Sequence, residues 1–387
     1  MKSFLDDYKI AFVGWNPFQL LHVKNLLLSL PKSVFVIEKR RDNNVEFFSD
    51  RLLSDVASQI VMIDQKNMKS LDEDYDIILI QTLFYDIHKI KKAKIIMLQY
   101  GYAKEPYNYG VWRSLASLCL TYGEYASKKI ETFTPTVVTG NPRYDLWHDP
   151  LFFDKAKFKY KKYIDLNKKT ILYVPTWGEL SSFDLYGDVI LSLRVHYNLL
   201  IKMHHNSDYL ELKKISKIKK IGLHYFGAND DLLELISLAD IVISDYSGAI
   251  FDAFYCQKTI LLLNLPSESL LKSKKIDKYS LEFSQRDNLG IQIDSPTHLL
   301  SIIQKIEQVT LTTSSHLREK LFLSTDSAVE NIHKALKEFI EGKYKRNQIQ
   351  GYIHQSVSEC YNKKTSLEEF RKLMIEIYFI IVSFWRR

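Results

Sequence analysis

Three short segments place side chains suited to holding an anion directly after an apolar run. In residues 230–263 the run Ile-Val-Ile-Ser is followed by Asp245-Tyr246-Ser247-Gly248 and then Ala-Ile-Phe-Asp252. A strand ending at Ser244 and a helix opening near Gly248 leave free backbone N–H groups, and the positive end of a helix dipole, at a strand's carboxyl edge. Ser247 is placed there to cap the helix or to donate to a phosphate oxygen, and Gly248 to let a ligand approach the backbone. An ordinary Ser/Asp cap without ligand accounts for the same pattern. Residues 199–206 read Leu-Leu-Ile-Lys202-Met-His204-His205-Asn206, a strand running into two histidines. Adjacent side chains on a strand alternate, so one of the pair, His204, is expected to face a ligand, and a purely structural histidine is the alternative. Residues 171–179 run from a strand into Pro175-Thr176-Trp177-Gly178, where Thr176 is positioned to line a phosphate site or merely to turn the chain. No third ligand stands at metal-binding spacing from the histidines, and Asp230-Asp231 reads as a helix start, so no metal and no cofactor are expected.

These segments need a scaffold that brings strand ends together. Short, uniformly apolar runs at 9–14, 34–37, 60–63, 77–80 and 95–98 alternate with helical patterns, as do runs at 170–174, 199–203, 223–226, 241–244 and 259–263. Such runs suit parallel strands buried on both faces. The reading is an α/β chain of two facing Rossmann-like, doubly wound domains, with a ligand at the carboxyl ends of the strands. Boundaries are expected at 1–150, 151–345 and 346–387, the last being helices that pack back on the first domain or touch a membrane. The apolar stretch 373–385, ending in Trp385-Arg386-Arg387, is either a packed helix or an interfacial anchor.

Composition narrows the classes further. The chain has 387 residues, 53 Lys+Arg against 46 Asp+Glu and a net charge of +7, so it is mildly basic with no nucleic-acid signature. Lysine clusters at 213–220 and 272–275 read as solvated faces. Cys119, Cys256 and Cys360 are far apart and form no CxxC pair, which suits a reducing compartment. No secretory signal and no apolar window of about 18 residues is found, so a cytoplasmic protein is expected.

Val174-Pro175-Thr176-Trp177, Lys202-Met203-His204 and Ser244-Asp245-Tyr246-Ser247-Gly248-x-x-Phe251-Asp252, together with Gly140-Asn141-Pro142-Arg143-Tyr144-Asp145, resemble the CDP-glycerol glycerophosphotransferase family. These are teichoic-acid primases and polymerases and their capsule-synthesis relatives. The resemblance covers residues 135–265 and implies a GT-B fold. It also implies a CDP-activated polyol phosphate donor and a lipid-linked or glycan acceptor at the inner face of the cytoplasmic membrane. By motif, His204 and Ser247 would hold the donor pyrophosphate, Asp245 and Asp252 would order the loop, Thr176 would line it, and Arg143 would sit near the cleft.

Family members carry a His-Gly pair, the proposed base, where this chain reads Tyr100-Gly101. A phenol with an ordinary value of about 10 is a poor base at neutral pH. Glu105 is then expected to take the acceptor's proton, with Asp86 and His88 behind it. Residues 14–20, Gly-Trp-Asn16-Pro-Phe-Gln19-Leu, are similar to the first loop of some bacterial sialyltransferase-type GT-B enzymes, with Asn16, Gln19 and His22 near the cleft; a capped amphipathic helix is the plainer reading. A GT-B glycosyltransferase using a UDP- or CMP-sugar, and a non-catalytic subunit of a capsule assembly complex, remain as alternatives.

Overall fold

The computed structural model describes residues 4–40, 47–273, 277–306, 314–362, 374–375 and 377–378. The chain divides into two compact units, one of Met1–Tyr100, Glu105–Asp145 and Glu319–Arg387, the other of Gly101–Lys104 and Leu146–Arg318.

The first unit holds β1 (Ile10–Gly14), β2 (Val34–Lys39), β3 (Ile60–Asp64), β4 (Ile77–Ile80), β5 (Lys94–Leu98), β6 (Leu118–Thr121) and β7 (Thr136–Val138). They form one parallel sheet in the order β3-β2-β1-β4-β5-β6-β7. The second holds β8 (Thr170–Val174), β9 (Asn198–Lys202), β10 (Tyr225–Phe226), β11 (Ile241–Ser244), β12 (Thr259–Leu263) and β13 (Ile291–Ile293), also parallel, in the order β10-β9-β8-β11-β12-β13. Each sheet reverses its winding once, between β1 and β4 and between β8 and β11, and such reversals open a crevice at the carboxyl ends of the strands. Both units are therefore of the doubly wound, Rossmann-like type that the apolar runs predict.

The strands β1, β4, β8 and β11 are buried along their whole length, which is why they read as continuous apolar runs. The strands at 118–121, 136–138 and 291–293 carry no such signal, because Cys119, Thr121, Thr136 and Gln292 interrupt runs of only three or four residues.

The chain rejoins the first unit at Glu319, earlier than the expected boundary at 345/346. The physical reason is the helix Ala328–Ile340, whose Ala328, Ile332, Ala335 and Leu336 recur at helical spacing and are buried. Ile332, Ala335 and Leu336 join the core that contains Leu20, Leu26 and Leu27. Asp145 fixes the start of this helix, accepting from the N–H groups of Ala328 (2.8 Å) and Val329 (2.9 Å). The following helix, Gln348–Asn362, is tied to the same unit by His354 Nδ1, 2.8 Å from Ser114 O, and by Gln350, which donates to Glu131 O at 2.6 Å. Most of the 373–387 tail lies outside the described residues; within it, Met374 and Tyr378 are buried.

Candidate functional site

Three loops leave the carboxyl edge of the second sheet, from β8, β9 and β11, and a buried carboxylate joins two of them. Asp245, fully buried just past β11, accepts from Thr176 N–H (2.8 Å) through Oδ1 and from the N–H and hydroxyl of Ser182 (2.8 and 2.9 Å) through Oδ2. Burial pushes the Asp245 carboxyl up, against the pull of these N–H donors. Thr176 is itself 1% exposed, so it belongs to this staple and is not an open lining residue.

Arg286, which sequence reasoning missed, holds the loop from the other side. Its guanidinium donates to Asp245 O (2.9 Å), Glu282 O (3.2 Å), Leu263 O (3.2 Å) and Asn264 Oδ1 (3.0 Å), and lies 4.3 Å from the ring centre of Tyr246. A lone arginine opening the short helix Arg286–Leu289 gave no motif signal.

Ser247 Oγ accepts from Ala249 N–H at 3.3 Å, just ahead of Gly248, the N-cap of the helix Ala249–Tyr255, in whose first turn Asp252 is half-buried. Gly248 is exposed with φ −61°, a conformation open to any residue, and a Cβ there would meet only Ala103 Cβ at 3.7 Å. Neither backbone nor packing demands glycine here.

His204 Nδ1 accepts from Asn206 N–H at 3.1 Å, so the neutral ring carries its proton on Nε2 and presents a donor. Its ring lies 5.9 Å from Trp177 and 4.1 Å from His205. The two histidines therefore lie side by side, not on opposite faces, because they follow the last residue of β9, where strand alternation no longer applies. Burial, then Lys202 and Lys104, lowers the His205 value to about 4, so it is neutral at neutral pH.

Lys104 arrives on the short segment Gly101–Lys104, which belongs to this unit. Tyr102 packs 5.4 Å from Phe251, Ala103 adjoins Gly248, and Lys104, at φ +57°, donates its N–H to the buried Glu282 at 2.7 Å. Nothing in the sequence pattern marked it. Beside the edge strand β10 a groove of about 360 Å³ is lined by Asp208, His224 and Asp230 among others.

In the first unit the expected cleft residues turn inward. Asn16 caps the helix Pro17–Ser29 through Gln19 N–H (2.9 Å), while Gln19 accepts from Trp15 N–H (2.8 Å) and donates to Thr82 (2.8 Å). Both are buried, as the capped-helix reading requires. Arg143, 1% exposed, has Nη1 3.4 Å from His22 Nε2, and Gln81 Nε2 is 3.2 Å from His22 Nδ1. Tyr100 lies 6.4 Å from the His22 ring, and burial pushes its phenol still higher, further from any role as a base.

Glu105, expected as the base, is closed off from solvent. It is fully buried, with Oε1 accepting from Tyr125 (2.6 Å) and Oε2 paired with Lys129 and 3.5 Å from the Tyr378 hydroxyl. A carboxylate so enclosed is an ion-pair anchor, not an open proton acceptor. Asp86 pairs with Lys89 at 2.6 Å, and His88 stacks on Tyr361 with centroids 5.4 Å apart. Among the described residues, no group of three or more His, Cys, Asp or Glu is placed to hold a metal ion, and no helix is long and apolar enough to cross a membrane.

Residues 125–265 match the family model of CDP-Glycerol:Poly(glycerophosphate) glycerophosphotransferase. All four motifs fall inside that match; Tyr100 falls outside it. The chain is 29% identical over 202 residues to the teichoic acid poly(glycerol phosphate) polymerase of Bacillus spizizenii, covering 48% of this chain and 46% of that one. It thus spans under half the length of the curated relatives it matches. Among solved structures, the wall teichoic acid polymerase TagF is similar in fold, with TM-score 0.60 and 16% identity over 87% of this chain and 89% of that chain. UDP-GlcNAc 2-epimerase from Neisseria meningitidis follows at TM-score 0.51 and 15% identity, over 86% of this chain and 100% of that chain. The fold is GT-B.

Proposed function

We propose that this chain, with the glycerophosphotransferase family match over residues 125–265, is a transferase. It moves a glycerol- or ribitol-phosphate group from a CDP-activated donor to a hydroxyl of a lipid-linked or glycan acceptor, in teichoic-acid or capsule-like polymer synthesis. One observation carries this reading: the matched segment contains all three carboxyl-edge loops that the Asp245 staple and the β9 turn bring to one side of the second sheet.

The chemistry asks little covalent work of the protein. The acceptor oxygen attacks the donor's β-phosphorus, the bond from that phosphorus to the bridging oxygen breaks, and CMP leaves with the bonding pair. The hydroxyl proton passes to a base. Nε2–H of His204, the Ser247 hydroxyl and the open backbone at Gly248 are the groups suited to hold the phosphates, and Lys104 adds positive charge beside His205. Asp245, Thr176 and Arg286 position these groups without touching substrate. A lipid-linked acceptor would place the reaction at the surface of the cytoplasmic membrane, on its inner face.

Tyr100 favours a second reading, in which the donor half is kept and a nucleotide sugar replaces the CDP-polyol. The test is CMP or UDP release from CDP-glycerol, CDP-ribitol, CMP-sialic acid and UDP-sugars. Turnover of a CDP-polyol, lowered about 100-fold or more by His204→Ala with folding intact, is the expected result. Turnover of only a UDP- or CMP-sugar overturns the polyol-phosphate reading. Cellular function unchanged by His204→Ala overturns catalysis in favour of a non-catalytic subunit.

A further inference from the structure

The amino edge of the second sheet, opposite the donor loops, carries a surface the transfer reaction does not use. Three turns lead into the adjacent strands β8, β9 and β10, and each presents an apolar side chain to solvent. Leu166 is 94% exposed, Val195 61% and Ile221 37%. Phe158, at the end of the helix Pro150–Tyr160 that precedes the first turn, is 72% exposed.

These tips are held, not frayed. Asn198 accepts from Asp165 N–H (2.9 Å) and donates to Asp165 O (2.8 Å) and Lys168 O (3.0 Å), which fixes the turn bearing Leu166. The Val195 turn is closed by Tyr197 N–H to Leu193 O at 3.0 Å. Ile221 sits at the end of the helix Leu212–Lys220, closed by Gly222 at φ +76° and by Leu223 N–H to Ile218 O at 3.3 Å. The turns also touch one another: Lys168 donates to Val195 O at 3.3 Å, and Tyr163 stacks on His224 with centroids 4.8 Å apart. Neighbouring strands stand about 5 Å apart, so the three tips form one short row.

Exposed lysines flank the row: Lys161, Lys162, Lys168 and Lys169 around Leu166, and Lys219 and Lys220 before Ile221. Asp165 is the one acidic side chain within these three turns.

We infer that this amino-edge face docks on an anionic lipid bilayer, with Leu166, Val195, Ile221 and Phe158 entering the headgroup boundary and the lysines meeting lipid phosphates. Charge complementarity alone would equally suit a soluble polyanion, but such a ligand has no use for a leucine held almost wholly in water. A bilayer uses both features, since lysine stems cover apolar surface while their heads reach phosphate. Because the strands are parallel, this face leaves the loops of Thr176, His204 and Ser247 at the opposite edge of the same sheet. The inference rests on exposure and charge and stands whether or not the transfer reaction is as proposed.

The test is flotation of the full chain with vesicles of phosphatidylcholine alone and of phosphatidylcholine with phosphatidylglycerol. Binding to the anionic vesicles only, weakened by added salt, is expected. Lys168→Ser with Lys169→Ser should weaken it roughly 20-fold, and Leu166→Ser with Ile221→Ser roughly tenfold, both with unchanged circular dichroism because all four side chains are exposed. Failure to float, equal binding to neutral vesicles, or wild-type binding by either double variant overturns the inference. So does retention on long-chain polyphosphate beads by a chain that ignores vesicles, which would make the face a polyanion site.

Discussion

His205 and Glu105 show how a titratable side chain is tuned by its surroundings. His205 is held to about 4 from its ordinary 6.5, so an unfolded chain takes up a proton across that window that the folded chain refuses. Its contribution to stability is whole above 6.5 and is lost as pH falls towards 4. His205→Asn should flatten the fall in urea midpoint between neutral pH and about 4, worth on the order of 3 kcal/mol at the acid end; an unchanged slope would contradict the assignment. Glu105→Gln leaves Lys129 without its carboxylate and should cost about 2 kcal/mol, read as a drop in urea midpoint, while CMP release per folded molecule stays unchanged. A selective loss of turnover would restore Glu105 as a base. The identity of such residues was legible in the sequence, but their solvent access was not. Glu105 lies in sequence beside the Tyr-Gly pair, yet its partners Tyr125, Lys129 and Tyr378 come from far along the chain.

At the scale of elements, the turns after β8 and β11 behave as one piece because Asp245 binds them, and Arg286 ties that piece to the end of β12. Asp245→Asn presents an amide N–H₂ to donors it previously accepted from, and should destabilise by about 2 kcal/mol while raising the donor KM more than it lowers kcat. Arg286→Met should act in the same direction through Asp245 O and Leu263 O, again read as a KM-weighted loss with the fold retained by circular dichroism. The long buried strands could be read because both faces are covered and the residues are uniformly apolar. The Asn16 cap was equally readable, since a cap is a local hydrogen bond. β6, β7 and β13 escaped because polar residues or a cysteine interrupt such short runs, and the Arg286 clamp escaped because three of its four acceptors are backbone carbonyls, which leave no trace in residue type.

For the whole molecule, two units could be anticipated from the repeated βα pattern, but not which core takes the helix Ala328–Ile340. Its spacing is that of any amphipathic helix, and only its burial with Leu20, Leu26 and Leu27 assigns it. A chain truncated after Arg318 should therefore lose the protease resistance of the first unit while Leu146–Arg318 survives as a resistant fragment. Equal digestion of both would mean that the core closes without that helix.

The bond between Asp145 and Ala328 spans 183 positions of sequence. On the ribosome, chains emerge from the amino end and domains usually close in that order. Here the carboxylate that seats the returning helix waits while the entire second unit is synthesised. The nascent amino-terminal sheet thus stays without its covering helix until late in translation, and the later-made unit is free to fold first.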